Sequence, residues 1–317
     1  MWASKLLGSS NFELYLHSLD IQANFAKLAE APDLSNVSSK YSKYYEFTNI
    51  FSKTKAKVLT PHHPYNLKIN LKDAQPPVGP IYSLLTSEQK ALKEFIKENL
   101  NISFIWPILS LHGALVLSVK KKDGSLYLCV DFHSLNHISK KNCYLLLLIF
   151  NLLNSLYKAQ IYSKIDLHHT YHLVHIANSN EWKIAFRIYY ESFKWSVIPF
   201  SLTNASVAFQ RLINNIFSDL LDICVMIYLD NILIYSNNMS KHYQYVKKVL
   251  KHFYKAGLYA KVEKYKFHSE LVEYLEYILS PLGLTMSNNK VKIIQDWPEP
   301  KKVKDIQSFL GFTNFYY

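Results

Sequence analysis

Hydrophobic residues in the centre of the chain are grouped in short runs that end at polar residues. Residues 161–166 form a mainly apolar run that ends at Asp166, and residues 224–236 (CVMIYLDNILIYS) form two apolar runs around a polar pair. Short runs rich in β-branched and aromatic residues are typical of strands. The pattern therefore predicts a strand ending at Asp166 and a β-hairpin with Asp230 and Asn231 at its tip.

Two other segments have the apolar spacing of amphipathic helices. TSEQKALKEFIKENLN begins at Thr86, three residues before Gln89, which is the arrangement of a capping box. SLTNASVAFQRLINNIFSDLL has one apolar face and two plausible N-caps, Asn204 and Ser206. Both segments are predicted to be helices.

Two further hairpins are predicted. Residues 114–136 contain two β-rich runs on either side of Asp123-Gly124, which is a common hairpin turn, and residues 181–200 contain two alternating segments around a turn near Glu191. Lysines at 120–122 enter the first turn. They are interpreted either as solvated residues of an edge strand or as a basic flap that covers phosphates.

Length and charge narrow the classes of function. The chain has 317 residues, 49% of them hydrophobic, which is enough for a large core and for more than one domain. Its 36 Lys and Arg against 24 Asp and Glu give a net charge of +12. Such an excess favours a polyanionic partner such as nucleic acid, and the alternative is a lysine-rich solvated surface.

Cysteine usage and hydropathy indicate the compartment. The chain has three cysteines, Cys129, Cys143 and Cys224, which are far apart and each within an apolar run. They are interpreted as reduced core residues of an intracellular protein. Neither a run of 18 apolar residues nor a signal peptide is recognised, so no membrane association is expected.

The two strand-end carboxylates, Asp166 and Asp230, allow two interpretations. An Asp-Asn pair is by itself a good turn sequence and needs no function. In a strongly basic chain, however, carboxylates at the ends of adjacent strands suit a site that holds two Mg²⁺ ions for phosphoryl transfer. Spacing alone does not decide between these interpretations.

Longer motifs carry a resemblance to a known family. In chain order these motifs are VKKKDGSLYLCVDFHSLN, KIDLHHTYHLVHI, WKIAF, PFSLTNASVAFQ, YLDNILIYS, KAGLYAKVEKYKFH, VEYLEYILSPLGL and QSFLGFTNFYY. Together they resemble the reverse transcriptase region of Gypsy-type LTR retrotransposon Pol polyproteins. The resemblance runs from about Tyr44 to the end of the chain.

The resemblance implies an α+β fold, the right-hand polymerase with fingers, palm and thumb and an antiparallel palm sheet. The expected division of the chain is a flexible linker at 1–43, an N-terminal extension at 44–76, fingers at 77–140 with 173–200, a palm at 141–281 interrupted by the second fingers segment, and the start of a thumb at 282–317. The chain is expected to be a polymerase fragment, without the protease, RNase H and integrase regions of a complete polyprotein.

The resemblance also implies roles for single residues. Asp166 and Asp230 correspond to the metal-binding aspartates of the family, and the expected cofactors are two Mg²⁺ ions, with Mn²⁺ as a possible substitute. Asn231 occupies the third, degenerate catalytic position. The residues implied in nucleotide binding are Lys121, Lys122, Tyr171 and Phe200. Those implied in template or primer binding are Gln210, Tyr274, Leu275, Glu276 and Tyr277.

Several positions depart from the family pattern. Asn231 stands where the family has a second aspartate of its YxDD motif, and Tyr127 stands where it has an arginine that bonds the triphosphate. Other family glycines, prolines and arginines are replaced at His133, Leu145, Leu147, Ser201, Ser206 and Glu276. The chain has only seven glycines, so turns that usually need glycine must use residues with side chains.

Two functions of different classes follow from these observations. The first is an RNA-directed DNA polymerase that acts on an RNA or DNA template with a primer and on dNTPs, impaired by Asn231 and Tyr127. The second is a catalytically inactive retroelement relic that at most binds nucleic acid. The expected location is intracellular, in the cytoplasm by analogy with retroelement replication, and the sequence does not predict an oligomeric state.

Overall fold

The structure is a computed structural model, and it describes most of the chain from residue 39 to residue 314. Within that range, the residues that it does not describe are 53, 61, 63–64, 73–74, 77, 79–84, 121–125, 143–155, 157–158, 169 and 262–265. The linker predicted at 1–43 therefore lies largely outside the described residues, and its last residues, from Ser39, belong to a 3₁₀ helix, Ser39–Phe51.

The chain divides into two compact units. Unit 1 comprises Met1–Leu146, Leu167–Ile216 and Phe253–Ala260. Unit 2 comprises Leu147–Asp166, Phe217–His252 and Lys261–Tyr317. Each unit takes segments from several parts of the chain, so neither corresponds to one continuous stretch of sequence.

Unit 1 combines helices with two small antiparallel sheets. Its labelled elements are α1 (Thr86–Asn101), β1 (Ile105–Pro107), β2 (Leu115–Lys120), β3 (Leu126–Asp131), α2 (His133–Ile138), β5 (Phe186–Arg187), β6 (Ser192–Trp195) and α3 (Ala205–Ile216). Short 3₁₀ helices lie at Lys55–Lys57, Thr170–Leu173 and Glu181–Ile184. Strand β2 pairs with β3, and the other sheet has the order β1-β6-β5.

Helix α1 confirms the predicted helix but not its predicted capping box. Leu92 and Ile96 are buried along one face, as the apolar spacing predicts. The N-cap, however, is Leu85, whose backbone N–H donates to the carboxylate of Glu88 at 2.9 Å. Thr86 is already the first helical residue, so the box proposed for Thr86 and Gln89 is wrong by one residue.

Both hairpins predicted in unit 1 are confirmed. Strands β2 and β3 pair antiparallel from Leu115 opposite Asp131 to Lys120 opposite Leu126, and the turn between them lies outside the described residues. Strands β5 and β6 pair around Tyr189 and Tyr190. Apolar alternation was sufficient to find both pairs because each hairpin is a local structure.

Helix α3 begins after Asn204, but this side chain does not cap the helix. The Asn204 amide oxygen accepts the backbone N–H of Asn142 at 3.0 Å, and its amide nitrogen donates to the carbonyl of Lys140 at 2.9 Å. Ser206 lies within the first turn. The predicted capping role is therefore replaced by a tether to a segment more than sixty residues away in the sequence.

Unit 2 is built on two antiparallel sheets and three helices among its described residues. Its elements are β4 (Ile161–Asp166), β7 (Val225–Tyr228), β8 (Asn231–Ser236), α4 (Met239–Ala256), β9 (Lys266–Ser269), β10 (Val272–Tyr274), β11 (Tyr277–Ser280), β12 (Gly283–Met286), α5 (Asn288–Gln295) and α6 (Val303–Asn314). The last four residues of α4 belong to unit 1. The sheet orders are β7-β8-β4-β9 and β10-β11-β12.

The four-stranded sheet of unit 2 is buried on both faces. One face contributes to an apolar cluster with the three-stranded sheet, and its members include Tyr162, Met226, Leu233, Tyr235, Val272, Tyr274 and Leu279. Residues of the opposite face, such as Ile165, Ile232 and Ile234, are fully buried. This double burial explains why the strands are apolar runs rather than alternating ones.

The hairpin of β7 and β8 is confirmed, but its tip is shifted by one residue. Tyr228 pairs with Asn231, so the two loop residues are Leu229 and Asp230, and Asn231 is the first residue of β8. Leu229 has a φ of 53°, a left-handed value at the first loop position, as type II′ turns require. The predicted Asp-Asn tip is therefore wrong, and Asn231 belongs to the sheet.

Within the described part of the chain, none of the helices has the length and hydropathy needed to cross a membrane.

Candidate active site

Strand register brings the predicted catalytic residues together at one end of the four-stranded sheet. Asp166, the last residue of β4, lies directly opposite Asn231, the first residue of β8. Residues directly opposite each other in an antiparallel pair point to the same face. The side chains of Asp166 and Asn231 are therefore neighbours, with Asp230 in the adjoining turn.

Asp166 is a buried carboxylate with a cation beside it. Its exposed fraction is 4%, and its Oδ1 lies 3.5 Å from Nζ of Lys164. Its backbone carbonyl accepts the N–H of Lys261 at 2.9 Å, which fixes the end of the strand. A buried carboxylate needs a compensating positive charge, and Lys164 supplies one within the same strand.

The Lys164 contact was missing from the sequence interpretation, although a signal for it exists. Side chains two positions apart on a strand point to the same face. Lys164 precedes Asp166 by two residues. Once β4 is assigned as a strand, an ion pair between these residues is the expected arrangement.

Asn231 makes a contact that an aspartate could not make. Its amide nitrogen donates to Oδ1 of Asp230 at 3.2 Å. Two carboxylates at these positions would repel each other unless cations lay between them. The amide therefore replaces a charge that would attract a metal with a hydrogen bond that engages one oxygen of the remaining aspartate.

Tyr274 supports the hairpin from the neighbouring sheet of unit 2. Its ring is fully buried, and its hydroxyl donates to the backbone carbonyl of Asn231 at 3.2 Å. Burial raises the pKa of this hydroxyl far above its ordinary value, and the negative charges of Asp166 and Asp230 raise the pKa further. Tyr274 therefore stays protonated and remains a donor to the hairpin.

The predicted primer-binding residues form the turn between β10 and β11. Tyr274 pairs with Tyr277, which leaves Leu275 and Glu276 as a two-residue loop. Both loop residues have left-handed φ values, 50° and 69°, as in a type I′ turn. The carboxylate of Glu276 also pairs with Nζ of Lys290 at 3.0 Å.

The nucleotide-binding residues predicted in unit 1 are partly brought together. The ring of Tyr171 lies 5.5 Å from that of Phe200 and 6.0 Å from that of Phe209, both at steep angles. Phe200 is 46% exposed, so one aromatic side chain of this group is accessible to a ligand. Ser201, next to it, has a φ of 76°, a value at which glycine is the usual residue.

Of the other predicted residues, one is buried and two lie outside the described part of the chain. Gln210 is buried on α3, where its amide nitrogen donates to Asn214 at 2.8 Å. Lys121 and Lys122 lie outside the described residues. For Tyr127 the structure describes the backbone, which pairs with Val119.

The oxygen donors at the hairpin are of the type that binds hard divalent cations. Asp166 and Asp230 provide carboxylates, and Asn231 provides an amide oxygen. Among the described residues, no group of three or more His, Cys, Asp or Glu side chains is arranged to hold a metal ion. The donor types therefore fit Mg²⁺ or Mn²⁺, but with one negative charge fewer than three carboxylates would give.

Comparison with protein families gives one match over more than half of the chain. Residues 119–313 match the family described as reverse transcriptase (RNA-dependent DNA polymerase). The matched region includes the hairpin, Asp166 and the β10–β11 turn. Reverse transcriptases use divalent metal ions, in agreement with the oxygen donors of this site.

Similar proteins are found among retrotransposon polyproteins. The Tf2-7 and Tf2-8 transposon polyproteins of Schizosaccharomyces pombe are each 29% identical to this chain over 302 residues, 94% of its length. The chain spans 22% of the length of these relatives. They are of the Gypsy type, which confirms the resemblance seen in the sequence motifs.

Solved structures show the same fold. A foamy viral protease-reverse transcriptase in complex with an RNA/DNA hybrid matches with a TM-score of 0.75 at 18% identity, over 94% of this chain and 40% of that chain. A foamy viral protease-reverse transcriptase in complex with double-stranded DNA matches with a TM-score of 0.76 at 19% identity, over 94% of this chain and 62% of that chain. The predicted α+β right-hand polymerase fold is thereby confirmed.

The strand-end carboxylates, the hairpin between β7 and β8 and the family match lead to one conclusion. The chain belongs to the reverse transcriptase family, as a domain of the kind found in retrotransposon polyproteins.

Proposed function

We propose that the chain is an RNA-directed DNA polymerase domain in which nucleotidyl transfer is impaired at the hairpin. The observation that carries this proposal is the register that places Asn231 directly opposite Asp166. The site keeps the two aspartates that the family resemblance assigns to metal binding. At the third position it has an amide in place of a carboxylate.

Asp166 and Asp230 are the residues that would hold Mg²⁺. When bound, the ions would lower the pKa of the primer 3′-hydroxyl and stabilise the negative charge that develops on the phosphates. The chain itself fixes the two carboxylates through strand pairing and the turn, and Tyr274 holds the backbone of Asn231. Lys164 neutralises part of the charge on Asp166 and would compete with a cation for Oδ1.

The missing carboxylate is expected to have a large effect. One unit charge about 4 Å from a divalent ion changes the interaction energy by several kcal/mol, since two single charges at this distance give about 4 kcal/mol at an effective dielectric constant near 20. A loss of about 4 kcal/mol in the transition state corresponds to roughly a thousandfold in rate. The Asn231–Asp230 hydrogen bond adds to the effect, because it occupies one acceptor position on Oδ1 of Asp230.

The proposal also assigns nucleotide binding to residues of unit 1. Tyr171 and Phe200 form an aromatic pair that suits contact with the sugar and base of a dNTP, and the lysines at 121–122 would contact its phosphates.

The fingers are assigned to 77–140 with 173–200, the palm to the rest of 141–281, and the thumb start to 282–317. Template and primer are proposed as partners because similar reverse transcriptases were solved with an RNA/DNA hybrid and with double-stranded DNA.

The proposal is tested by primer extension on poly(rA)–oligo(dT), first with Mg²⁺ and then with Mn²⁺. We expect the unchanged chain to extend primers weakly and Asn231→Asp to increase the rate by about a hundredfold or more, because the substitution restores the charge. Asp166→Ala in the Asn231→Asp background is expected to abolish extension. Asn237→Asp, which adds the same charge at an exposed position, is the matched control and is expected to have no effect.

The alternative function, an inactive domain that only binds nucleic acid, predicts a different result. Extension would then be absent from the unchanged chain and from Asn231→Asp, while binding to the primer–template persisted. Strong extension by the unchanged chain, equal to that of Asn231→Asp, would contradict impairment at the hairpin.

A further inference from the structure

Lys164 lies on the same face of β4 as Asp166, in surroundings that are largely apolar. Tyr162, two residues before it, and Leu233, directly opposite it on β8, are both fully buried members of the apolar cluster of unit 2. The lysine side chain is itself only 21% exposed. A lysine in such a position extends its apolar stem along its neighbours and carries its charge to the nearest polar group. For Lys164 that group is at the end of the strand.

Asp166 supplies the negative charge that neutralises Lys164. Nζ of Lys164 lies 3.5 Å from Oδ1 of Asp166, and within the described part of the chain this is the one ion pair that Lys164 forms. Its cross-strand neighbour on β9 is Lys266, which has the same charge and therefore cannot neutralise it. A buried charge without a partner is costly, so each member of the pair stabilises the other.

The same carboxylate oxygen is a metal ligand in the proposed function, on which this inference rests. A divalent ion attached to Oδ1 of Asp166 and the ammonium group of Lys164 would repel each other at short range. The lysine has little room to withdraw, because its stem packs between buried residues of β4 and β8. Metal binding must therefore either displace Nζ from its only ionic partner or proceed beside a positive charge. Both alternatives weaken the binding.

We propose that Lys164 is a positioning residue that acts as an internal counter-ion of the hairpin site and lowers its affinity for divalent metal ions. Without a metal ion, Lys164 stabilises the buried carboxylate of Asp166. With a metal ion, it competes for the same oxygen. Lys164 and Asn231 thus weaken metal binding by separate means, since Asn231 removes a negative charge from the site and Lys164 adds a positive one.

A purely structural ion pair would have the opposite effect on metal binding. If Lys164 only kept Asp166 in position, removing the lysine would leave the carboxylate less ordered, and metal ions would bind equally or more weakly. A counter-ion that competes with the metal predicts tighter binding after its removal. The direction of the change in metal affinity therefore distinguishes the two roles.

The test is Mn²⁺ binding, measured from the electron paramagnetic resonance signal of free Mn²⁺ without nucleic acid or dNTP. Binding at the hairpin is defined as the part that Asp166→Ala removes. We expect Lys164→Gln to bind Mn²⁺ at this site about tenfold more tightly or better, in the unchanged chain and in the Asn231→Asp background. The matched control is Lys241→Gln, which removes the same charge from an exposed position of α4 and should change the affinity by less than about twofold.

Urea unfolding gives a second measurement of the same competition. Lys164→Gln should be less stable than the unchanged chain without metal ions, because Asp166 loses its counter-ion. Mn²⁺ should then stabilise Lys164→Gln more than it stabilises the unchanged chain, since stabilisation by a ligand follows its affinity for the folded state. A decrease in stability that Mn²⁺ does not reverse would show a structural role only and would overturn the proposal.

Lys164→Arg keeps the positive charge and tests the proposal even if Lys164→Gln does not fold. A guanidinium group bonds a carboxylate through two parallel hydrogen bonds, so it should hold Asp166 more firmly than an ammonium group does. We expect Lys164→Arg to bind Mn²⁺ at the hairpin more weakly than the unchanged chain. Equal or tighter binding by the arginine variant would contradict competition at Oδ1.

Asp166→Ala separates the failure of this inference from the failure of the proposed function. If Asp166→Ala removes Mn²⁺ binding but Lys164→Gln does not strengthen it, the counter-ion role is wrong and the metal site of the proposed function stands. If Asp166→Ala leaves Mn²⁺ binding unchanged in every background, the hairpin does not bind metal ions, and both proposals are wrong.

Discussion

A single amide determines how the hairpin site of this reverse transcriptase domain is interpreted. Asn231 contacts Asp230 through a hydrogen bond and lies opposite Asp166 in the sheet. An aspartate at the same position would lose that bond and add a negative charge to a site that already contains two carboxylates. Without bound metal ions the site is therefore more stable with asparagine, whereas with bound metal ions it would be more stable with aspartate.

At the residue scale, Glu276 gives a test of backbone strain. Its φ of 69° is left-handed, which costs a residue with a side chain roughly 1–2 kcal/mol compared with glycine. Glu276→Gly removes this cost and loses the partly exposed ion pair with Lys290, which contributes between about 0 and 1 kcal/mol. Glycine also adds entropy to the unfolded chain, which costs roughly 0.5–1 kcal/mol. We therefore expect the free energy of unfolding, measured by urea denaturation, to stay within about 0.5 kcal/mol of that of the unchanged chain.

The control for this substitution is Glu273→Gly, in strand β10. Glu273 is exposed and is not among the described residues with positive φ. Glycine there should lower the free energy of unfolding by roughly 0.5–1 kcal/mol, because it increases the entropy of the unfolded chain. If both glycine variants are destabilised to the same extent, the left-handed turn is not a source of strain.

At the scale of elements, a buried histidine joins α4 to the four-stranded sheet. His242 is fully buried, with Nε2 at 2.7 Å from Oγ of Ser163 on β4 and Nδ1 at 2.9 Å from Oγ of Ser236 on β8. Ser236 donates to the carbonyl of Asn238, so its oxygen accepts from Nδ1, and Ser163 then donates to Nε2. This arrangement requires neutral His242 with its proton on Nδ1.

The buried histidine predicts a loss of stability in mild acid. Burial, with a smaller contribution from His268, lowers the pKa of His242 from 6.5 to about 4. Between these values the unfolded chain binds a proton at His242 that the folded chain does not. The stabilisation is therefore complete above about pH 6.5 and is lost as the pH falls towards 4, by on the order of 3 kcal/mol.

The measurement is the free energy of unfolding against pH for the unchanged chain, His242→Gln and the exposed control His137→Gln. We expect His242→Gln to be less stable at pH 7 and to show a smaller decrease between pH 6.5 and 4 than the unchanged chain. His137→Gln should follow the unchanged chain. Parallel curves for all three proteins would mean that His242 already titrates normally in the folded state.

At the scale of the whole molecule, the net charge of +12 predicts binding to nucleic acid without sequence preference. With an estimate of about five phosphate contacts, affinity for a single strand should fall roughly a hundredfold between 50 and 200 mM salt. Titrations with oligo(dT), oligo(dA) and a mixed sequence should give the same slope of log K against log salt. A slope near zero, or one that differs between sequences, would show that base contacts dominate the binding.

Much of the local structure could be predicted from the sequence. The apolar spacing of residues 86–101 was enough to find α1, and the runs on either side of Asp123-Gly124 were enough to pair β2 with β3. Ends of elements were less accurate: Leu85 rather than Thr86 is the cap of α1, and Leu229-Asp230 rather than Asp230-Asn231 forms the hairpin loop. A shift of one residue costs little locally, so periodicity alone does not fix it.

The sequence by itself determined the family of this protein, the two strand-end aspartates and the loss of a carboxylate at Asn231, because these are properties of residue identity and order. Only the tertiary structure decided which groups meet. The pairing of Asp166 with Asn231, the Tyr274 bond beneath the hairpin and the Ser163–His242–Ser236 contacts join residues that are distant in sequence. Strand register and packing set such contacts across the whole core, and no local pattern contains them.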